Sequence, residues 1–526
     1  MAGLGGPRSV VVVVGAGAAG LGAAERLLGA SGRFAPLRLL EASGRAGGRI
    51  RTTRFGKSQV EVGAQWIHGP SKGNPVFQLA SEAGLLSPEA LSEENQQAEV
   101  YGHPTGPFAC YGSQGRELSP RLVESVGTFF SGLLEEARGF MDVDPPPVPS
   151  VGQFLKGAIT RMLEESSEEA EGDRCLKLAL LHSCFNMECC VNATDSLDDL
   201  ALGPFGEYTM LPGLDCTFPN GYQGLTDHLL ASLPEGTVRF NKPVKTIHWG
   251  RPESEEGAAG RLFGVQVECE DGETFLADHV IITVPLGFLK EHQESLFCPP
   301  LPPQKLEAIQ RLGFGTSNKI ILEFEQPFWK PDTEIVEVVW ENKSPLEERP
   351  SDLRNTWFQK IAGYVVLQPP ERHGHVLCGF IAGRESEFME TLSDSEVLTT
   401  LTQIFRKATG RPQLAPPKNI LRSRWHREPY TRGSYSYIAV GSSGEDIDRL
   451  AQPLPEETSG SKIAYGTVSC LTYPTISVLR VPSAKQCRLA EPRGRKGLLC
   501  GGSGPLEPTA SRDPYYPHPT LLLESR

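Results

Sequence analysis

Five consecutive valines at positions 10–14 run directly into Gly15-Ala16-Gly17-Ala18-Ala19-Gly20, and no other feature of the 526 residues restricts the fold so tightly. A short β-branched run of this kind reads as a strand buried on both faces, the setting of a parallel sheet. Residues 21–28 then read as a helix. Gly15 permits the tight turn between them, Gly17 lets a diphosphate approach the backbone, and Gly20 allows helix and strand to close up. The N–H groups that open the helix, Ala18 and Ala19 included, face the phosphates together with the positive end of the helix dipole. A second strand at 37–40 ends in Glu41, 21 residues beyond Gly20, where an acid accepts hydrogen bonds from ribose hydroxyls. The expectation is a nucleotide-binding βαβ unit opening the chain.

Glu41 is followed by Arg45-Ala46-Gly47-Gly48-Arg49. Arg45 and Arg49 offer forked donors for phosphate, and Gly47 and Gly48 keep the turn clear of side chains. An NAD-linked dehydrogenase does not need this second basic turn, so the segment points to FAD. At this point the chain resembles the flavin-containing amine oxidases. Glu41-x3-Arg45-x-Gly47-Gly48-Arg49 is similar to their signature. Glu61-Val62-Gly63-Ala64-Gln65-Trp66-Ile67-His68-Gly69 is similar to the flavin-contacting segment of the polyamine oxidases. The resemblance continues to about residue 456. It runs through Phe218-Pro219-Asn220-Gly221-Tyr222-Gln223-Gly224-Leu225, Lys242-Pro243-Val244, and an apolar run at 280–286 containing Pro285. Gly315-Thr316-Ser317-Asn318-Lys319-Ile320, and Trp425 with Pro429-Tyr430-Thr431-Arg432-Gly433-Ser434-Tyr435, complete it. Among the family's branches the pattern is most similar to the vertebrate peroxisomal N1-acetylpolyamine oxidases, with spermine oxidase sharing most motifs. Monoamine oxidases carry a flavin-linked cysteine where Ser434 stands, so FAD is expected to be noncovalent.

The resemblance implies roles for individual residues. Gly63, Ala64, Trp66 and Trp425 would lie beside the flavin, and the Val244 backbone against the adenine. Lys319 would hold a water against flavin N5. Tyr435 would wall an aromatic channel, and His68 would hydrogen-bond the amine or assist proton transfer. Glu188 and Glu207 would bind remote ammonium groups, with Asn318 as a further polar contact. The implied reaction removes a hydride equivalent from the carbon beside an amine nitrogen. An aldehyde, a shorter amine and, after reaction with O2, hydrogen peroxide would result.

A net charge of −13 disfavours nucleic acid as a partner, because such binding rests on Lys and Arg neutralising phosphates. It is compatible with concentrating small cations such as polyamines. Twelve cysteines without a CxxC pair fit reduced thiols better than a disulfide frame or a metal site. No run approaches the roughly 18 apolar residues of a membrane span. A monomer is expected. The family's nearest members are peroxisomal. The last residues, Glu-Ser-Arg, do not form an SKL-type address, which leaves the cytoplasm as the other expectation.

The expected fold is α/β: an FAD-binding, Rossmann-like domain of the p-hydroxybenzoate hydroxylase (GR2) type, interleaved with a substrate domain of mixed sheet and helices. The first comprises 1–95, 218–300 and 415–456, and the second 96–217 and 301–414. Helices are expected at 121–140 and 173–186, and strands at 319–325 and 375–381. Linkers are expected at 145–147, 164–171, 251–260 and 369–374. Nothing after residue 454 matches the family's closing strand and helix, so 457–526 reads as an atypical, disordered tail. Three readings follow: an active polyamine oxidase, a catalytically impaired isoform, and an NAD-linked dehydrogenase, which the second basic turn disfavours.

Overall fold

The computed structural model describes residues 9–30, 34–98, 107–165, 170–249, 255–256, 262–454 and 463–465, all within one unit, Met1–Leu479. The valine run forms the centre of a five-stranded sheet. Ser9–Val14 pairs in parallel with Phe34–Leu40 on one side and His279–Ile282 on the other. Val238–Arg239 and Ile463–Tyr465 complete the two edges, also in parallel. Val11 and Val13 face one core with Leu21, Ala24 and Leu27, whereas Val10, Val12 and Val14 face another with Val280, Ile282 and Leu286. Side chains alternate across a strand, so burial on both faces is what requires every position to be apolar. The helix Ala18–Gly29 follows, its Gly20, Leu21, Ala24 and Leu27 face buried.

A six-stranded sheet forms the second body of structure, in the order Asn419–Arg422, Ser317–Phe324, His375–Ala382, Ile361–Val366, Ile335–Val339, Phe108–Gly112. Its pairings are antiparallel except the last, which is parallel. One face packs under the helix Asp394–Ala408 through Ile320, Leu322, Val397, Leu401 and Phe405. Around Val339, Ala362 and Ala382 the sheet meets a core built with the helices Pro120–Arg138, Val151–Glu165 and Glu171–Asn192.

The expected helices at 121–140 and 173–186 are present, the second running longer at both ends. The strands expected at 319–325 and 375–381 are Ser317–Phe324 and His375–Ala382. The proline-bounded stretch expected as a linker at 369–374 contains a helical turn, Pro370–His373. Most of the 251–260 loop, and the tail expected to be disordered, lie outside the described residues. One part of that tail does not: residues 463–465 extend the first sheet as a strand. No helix among the described residues is long and apolar enough to cross a membrane.

Candidate active site

A single cavity of about 420 Å³ runs from the glycine loop at the end of the first strand to a chamber against the six-stranded sheet. Gly15, Gly17, Ala18, Ala19, Glu41, Arg45, Gly48, Arg49 and Val244 line one end. Gly15 adopts φ +103°, a left-handed turn that side chains resist. Gly20 lies outside the lining and has a packing role, since a Cβ there would sit 1.8 Å from the Gly15 carbonyl oxygen. Glu41 follows the second strand and binds the loop together. Its carboxylate accepts from Ala16 N–H at 2.8 Å and from the Ser43 N–H and hydroxyl at 2.8 and 2.7 Å. The second glycine turn threads beside the first, with Gly47 N–H donating to the Ala16 carbonyl at 2.8 Å.

Both arginines of that turn are engaged with main chain. Arg45 donates to the carbonyls of Ala46, Gly48 and Ile50 at 3.1, 2.5 and 3.1 Å, and burial lowers its pKa. Arg49 donates to the Ser434 carbonyl at 2.7 Å. They shape the loop with these contacts, in addition to facing the cavity as the phosphate-binding expectation requires.

At the other end, Ser317–Phe324 presents Lys319 to the cavity. Its ammonium meets three acceptors, the Gly63 carbonyl at 2.8 Å, the Glu61 carbonyl at 3.1 Å and Gln65 Oε1 at 2.7 Å. Those match its three N–H donors. Nζ also lies 5.6 Å from the ring centres of both Trp66 and Phe380. Burial lowers the Lys319 pKa, with Cys378 and Glu61 acting against that shift. Tyr435 lines the same chamber, and its hydroxyl donates to the Cys190 carbonyl while burial pushes its pKa upward. His68, Trp66, Trp425, Gly63 and Ala64 line it as well.

The model of the flavin containing amine oxidoreductase family matches residues 18–460. The chain belongs to this family. It is 58% identical over 459 residues to the human peroxisomal N(1)-acetyl-spermine/spermidine oxidase, covering 87% of this chain and 89% of that one. Its bovine counterpart is 56% identical over 458 residues, covering 87% and 88%. The probable polyamine oxidase 5 of Arabidopsis thaliana is 32% identical over 500 residues, covering 85% and 88%. The chain is therefore an oxidoreductase with FAD as its cofactor.

The residues present fit the flavin of this family. A Cβ built on Gly17 meets no protein atom within 4 Å, because the space before it is the cavity itself. A diphosphate is thereby offered bare main chain at the opening of a helix.

Three residues expected to touch substrate lie elsewhere. Asn318 is one step from Lys319 on the same strand, so it points to the opposite face. There it is fully buried, donating to Ser386 and Glu390 and accepting from the Ser423 hydroxyl and Trp425 N–H. Glu188 follows the cavity-lining Met187 by one helical position, about 100° around the axis, and accepts from Asn192 at 2.8 Å. Glu207 accepts from Gly444 N–H at 3.0 Å, at the start of the helix Gly444–Ala451. Sequence reasoning in turn missed the chamber residues Met187, Tyr364 and Phe380. Phe380 falls in an expected strand, but only the sheet pairing shows which face it takes.

Proposed function

We propose that this chain oxidises polyamines at a secondary amine and favours those whose near terminus is acylated. The charge distribution along the cavity carries the reading. Its lining carboxylates, Glu41, Glu270 and Glu428, all lie at the nucleotide end. Among the described residues around Lys319, the lining is Met187, Val191, Ile335, Tyr364, Phe380 and Tyr435, with Trp66 and His68, and no carboxylate. Such a chamber stabilises a neutral amine and a neutral acyl end, because an apolar setting disfavours ammonium. A free terminal ammonium would lose its hydration there with no carboxylate in the lining to pair with directly. This favours an acylated substrate over free spermine, and the names of the human and bovine relatives agree.

In this reading, the stretches 1–95, 218–300 and 415–456 form a Rossmann-like FAD domain of the GR2 type, and 96–217 with 301–414 form the substrate domain. Glycines 15, 17 and 48 and the helix start hold the diphosphate, Glu41 the ribose, and Val244 the adenine. Ser434, tied to Ser317 by paired hydrogen bonds of 2.7 and 2.9 Å, offers no thiol for a flavin linkage, so FAD is held noncovalently. When bound, the cofactor supplies a hydride acceptor that oxygen restores. Lys319 holds a water at the chamber wall by giving up one of its three protein acceptors, Trp66, Tyr435 and Phe380 orient the amine, and His68 receives or relays its proton. The peroxisomal names of the human and bovine relatives support a peroxisomal setting for the reaction.

The test is anaerobic bleaching of flavin absorbance in the purified full chain. N1-acetylspermine should bleach it faster than spermine, and air should restore the colour with release of peroxide. Faster bleaching by spermine would replace this reading with that of a spermine oxidase. A flavin that no polyamine bleaches would sink it altogether.

A further inference from the structure

We infer that Asp215 is a positioning residue for this chemistry, fixing His68 in the tautomer with its proton on Nδ1 and its acceptor lone pair on Nε2. The inference rests on the reading of the amine end given above. His68 Nδ1 lies 2.6 Å from Asp215 Oδ2. The Asp215 side chain is 2% exposed and that of His68 is 31%, so the carboxylate stands behind a ring that lines the cavity.

The backbone makes this pairing precise in register. Trp66–Ile67 pairs antiparallel with Cys216–Thr217, Trp66 opposite Thr217 and Ile67 opposite Cys216. The next step along that register brings residue 68 to residue 215. The second carboxylate oxygen accepts from Gly69 N–H at 3.2 Å, and Asn74 donates to the His68 carbonyl at 2.8 Å. Main chain therefore anchors the carboxylate, and the Asn74 side chain anchors the backbone of His68.

A carboxylate accepts and does not donate, so Nδ1 must carry the proton. The neutral ring then has Nε2 as its acceptor nitrogen. An amine entering as ammonium can transfer a proton there. The N–H bond breaks, its electron pair stays on the amine nitrogen for the oxidation that follows, and the proton ends on Nε2. The buried negative charge of Asp215 offsets the imidazolium so formed. Without it, the ring can rotate or change tautomer and present an N–H to the amine in place of a lone pair.

Asp215→Asn tests this, because an amide can donate to Nδ1 and stabilise the opposite tautomer with little change of shape. Anaerobic bleaching by N1-acetylspermine at saturation should slow about tenfold or more, with flavin content and melting temperature close to those of the parent chain. His68→Gln should show a comparable loss, and the double variant should be no slower than His68→Gln alone. An Asp215→Asn variant that bleaches at the parent rate, or losses that multiply in the double variant, would overturn the inference. A second readout needs neither turnover nor the Asp215 variant. Spectra of the 15N-histidine-labelled parent chain, at a pH high enough to neutralise the ring and assigned with His68→Gln, should show the proton on Nδ1. A proton on Nε2 overturns the assignment even if the parent flavin fails to bleach, so this inference and the functional reading can fail separately.

Discussion

At its nucleotide end the cavity is walled mainly by residues 14–19 and 40–51, whereas its amine end draws on 65–68, 187–191, 319, 335, 363–365, 380 and 435. The first wall comes mainly from two stretches close in sequence, shaped by glycines and by arginines that bind carbonyls. The second is mostly side chains delivered by a helix, a six-stranded sheet and a loop. A wall of main chain is damaged by adding atoms, and a wall of side chains by removing them. Mutations at the two ends should therefore fail in different ways.

The largest effect is expected at Gly20. A Cβ there falls 1.8 Å from the Gly15 carbonyl oxygen, main chain that cannot step aside. Gly20→Ala should abolish both flavin binding and the cooperative unfolding transition. Gly17→Val sharpens the contrast. A Cβ there meets no protein atom within 4 Å and faces the cavity, so the melting temperature of the flavin-free chain should hold while bound FAD, read from absorbance, disappears. If Gly17→Val instead unfolds the protein, the nucleotide end is not the open cradle described.

Lys319→Met comes next and addresses the other end. It removes three hydrogen bonds and a cation that lies 5.6 Å from the ring centres of both Trp66 and Phe380. Reoxidation by oxygen, followed by rapid mixing, should slow roughly tenfold or more with flavin still bound. Unchanged reoxidation would remove Lys319 from the site. Glu41→Ala should deplete FAD, and it also leaves the Ala16 N–H without its acceptor, a cost of about 1–3 kcal/mol.

Acid should weaken the amine side first. Burial pushes His182, in Glu171–Asn192, and His373, beside the six-stranded sheet, each down to about 4 from an ordinary 6.5. Between those values the unfolded chain binds protons that the folded chain refuses, so stability falls as pH drops through that window. Denaturation midpoints at pH 7 and pH 5 should differ, and His182→Gln should reduce the difference. The smallest effect is expected for Tyr435→Phe, which loses one hydrogen bond to the Cys190 carbonyl, about 1 kcal/mol.

The same contrast governs how much the sequence discloses. The glycine loop, the strand before it and Glu41 after the next strand are close in the chain, so their spacing carries their geometry. Lys319 and Asn318 show the limit: both sit in one motif, yet strand alternation sends one to the cavity and the other to the core. Neighbouring letters cannot say which until the sheet is known. Glu188 fails for the helical version of that reason. Asp215 lies in a stretch without helical or strand periodicity, and it reaches His68 only through a two-residue pairing. The strand at 463–465 is not legible in the sequence, because three residues are too few to show a period.

That short strand also sets the outer edge of the first sheet. It covers the outer side of His279–Ile282, yet it lies past residue 460, where the family match ends. A chain stopped before 463 would leave a row of amide and carbonyl groups facing solvent, a template on which another molecule can add a strand. The strand that takes its place as the edge is only three residues long, and so short an edge is a poorer template for strand addition.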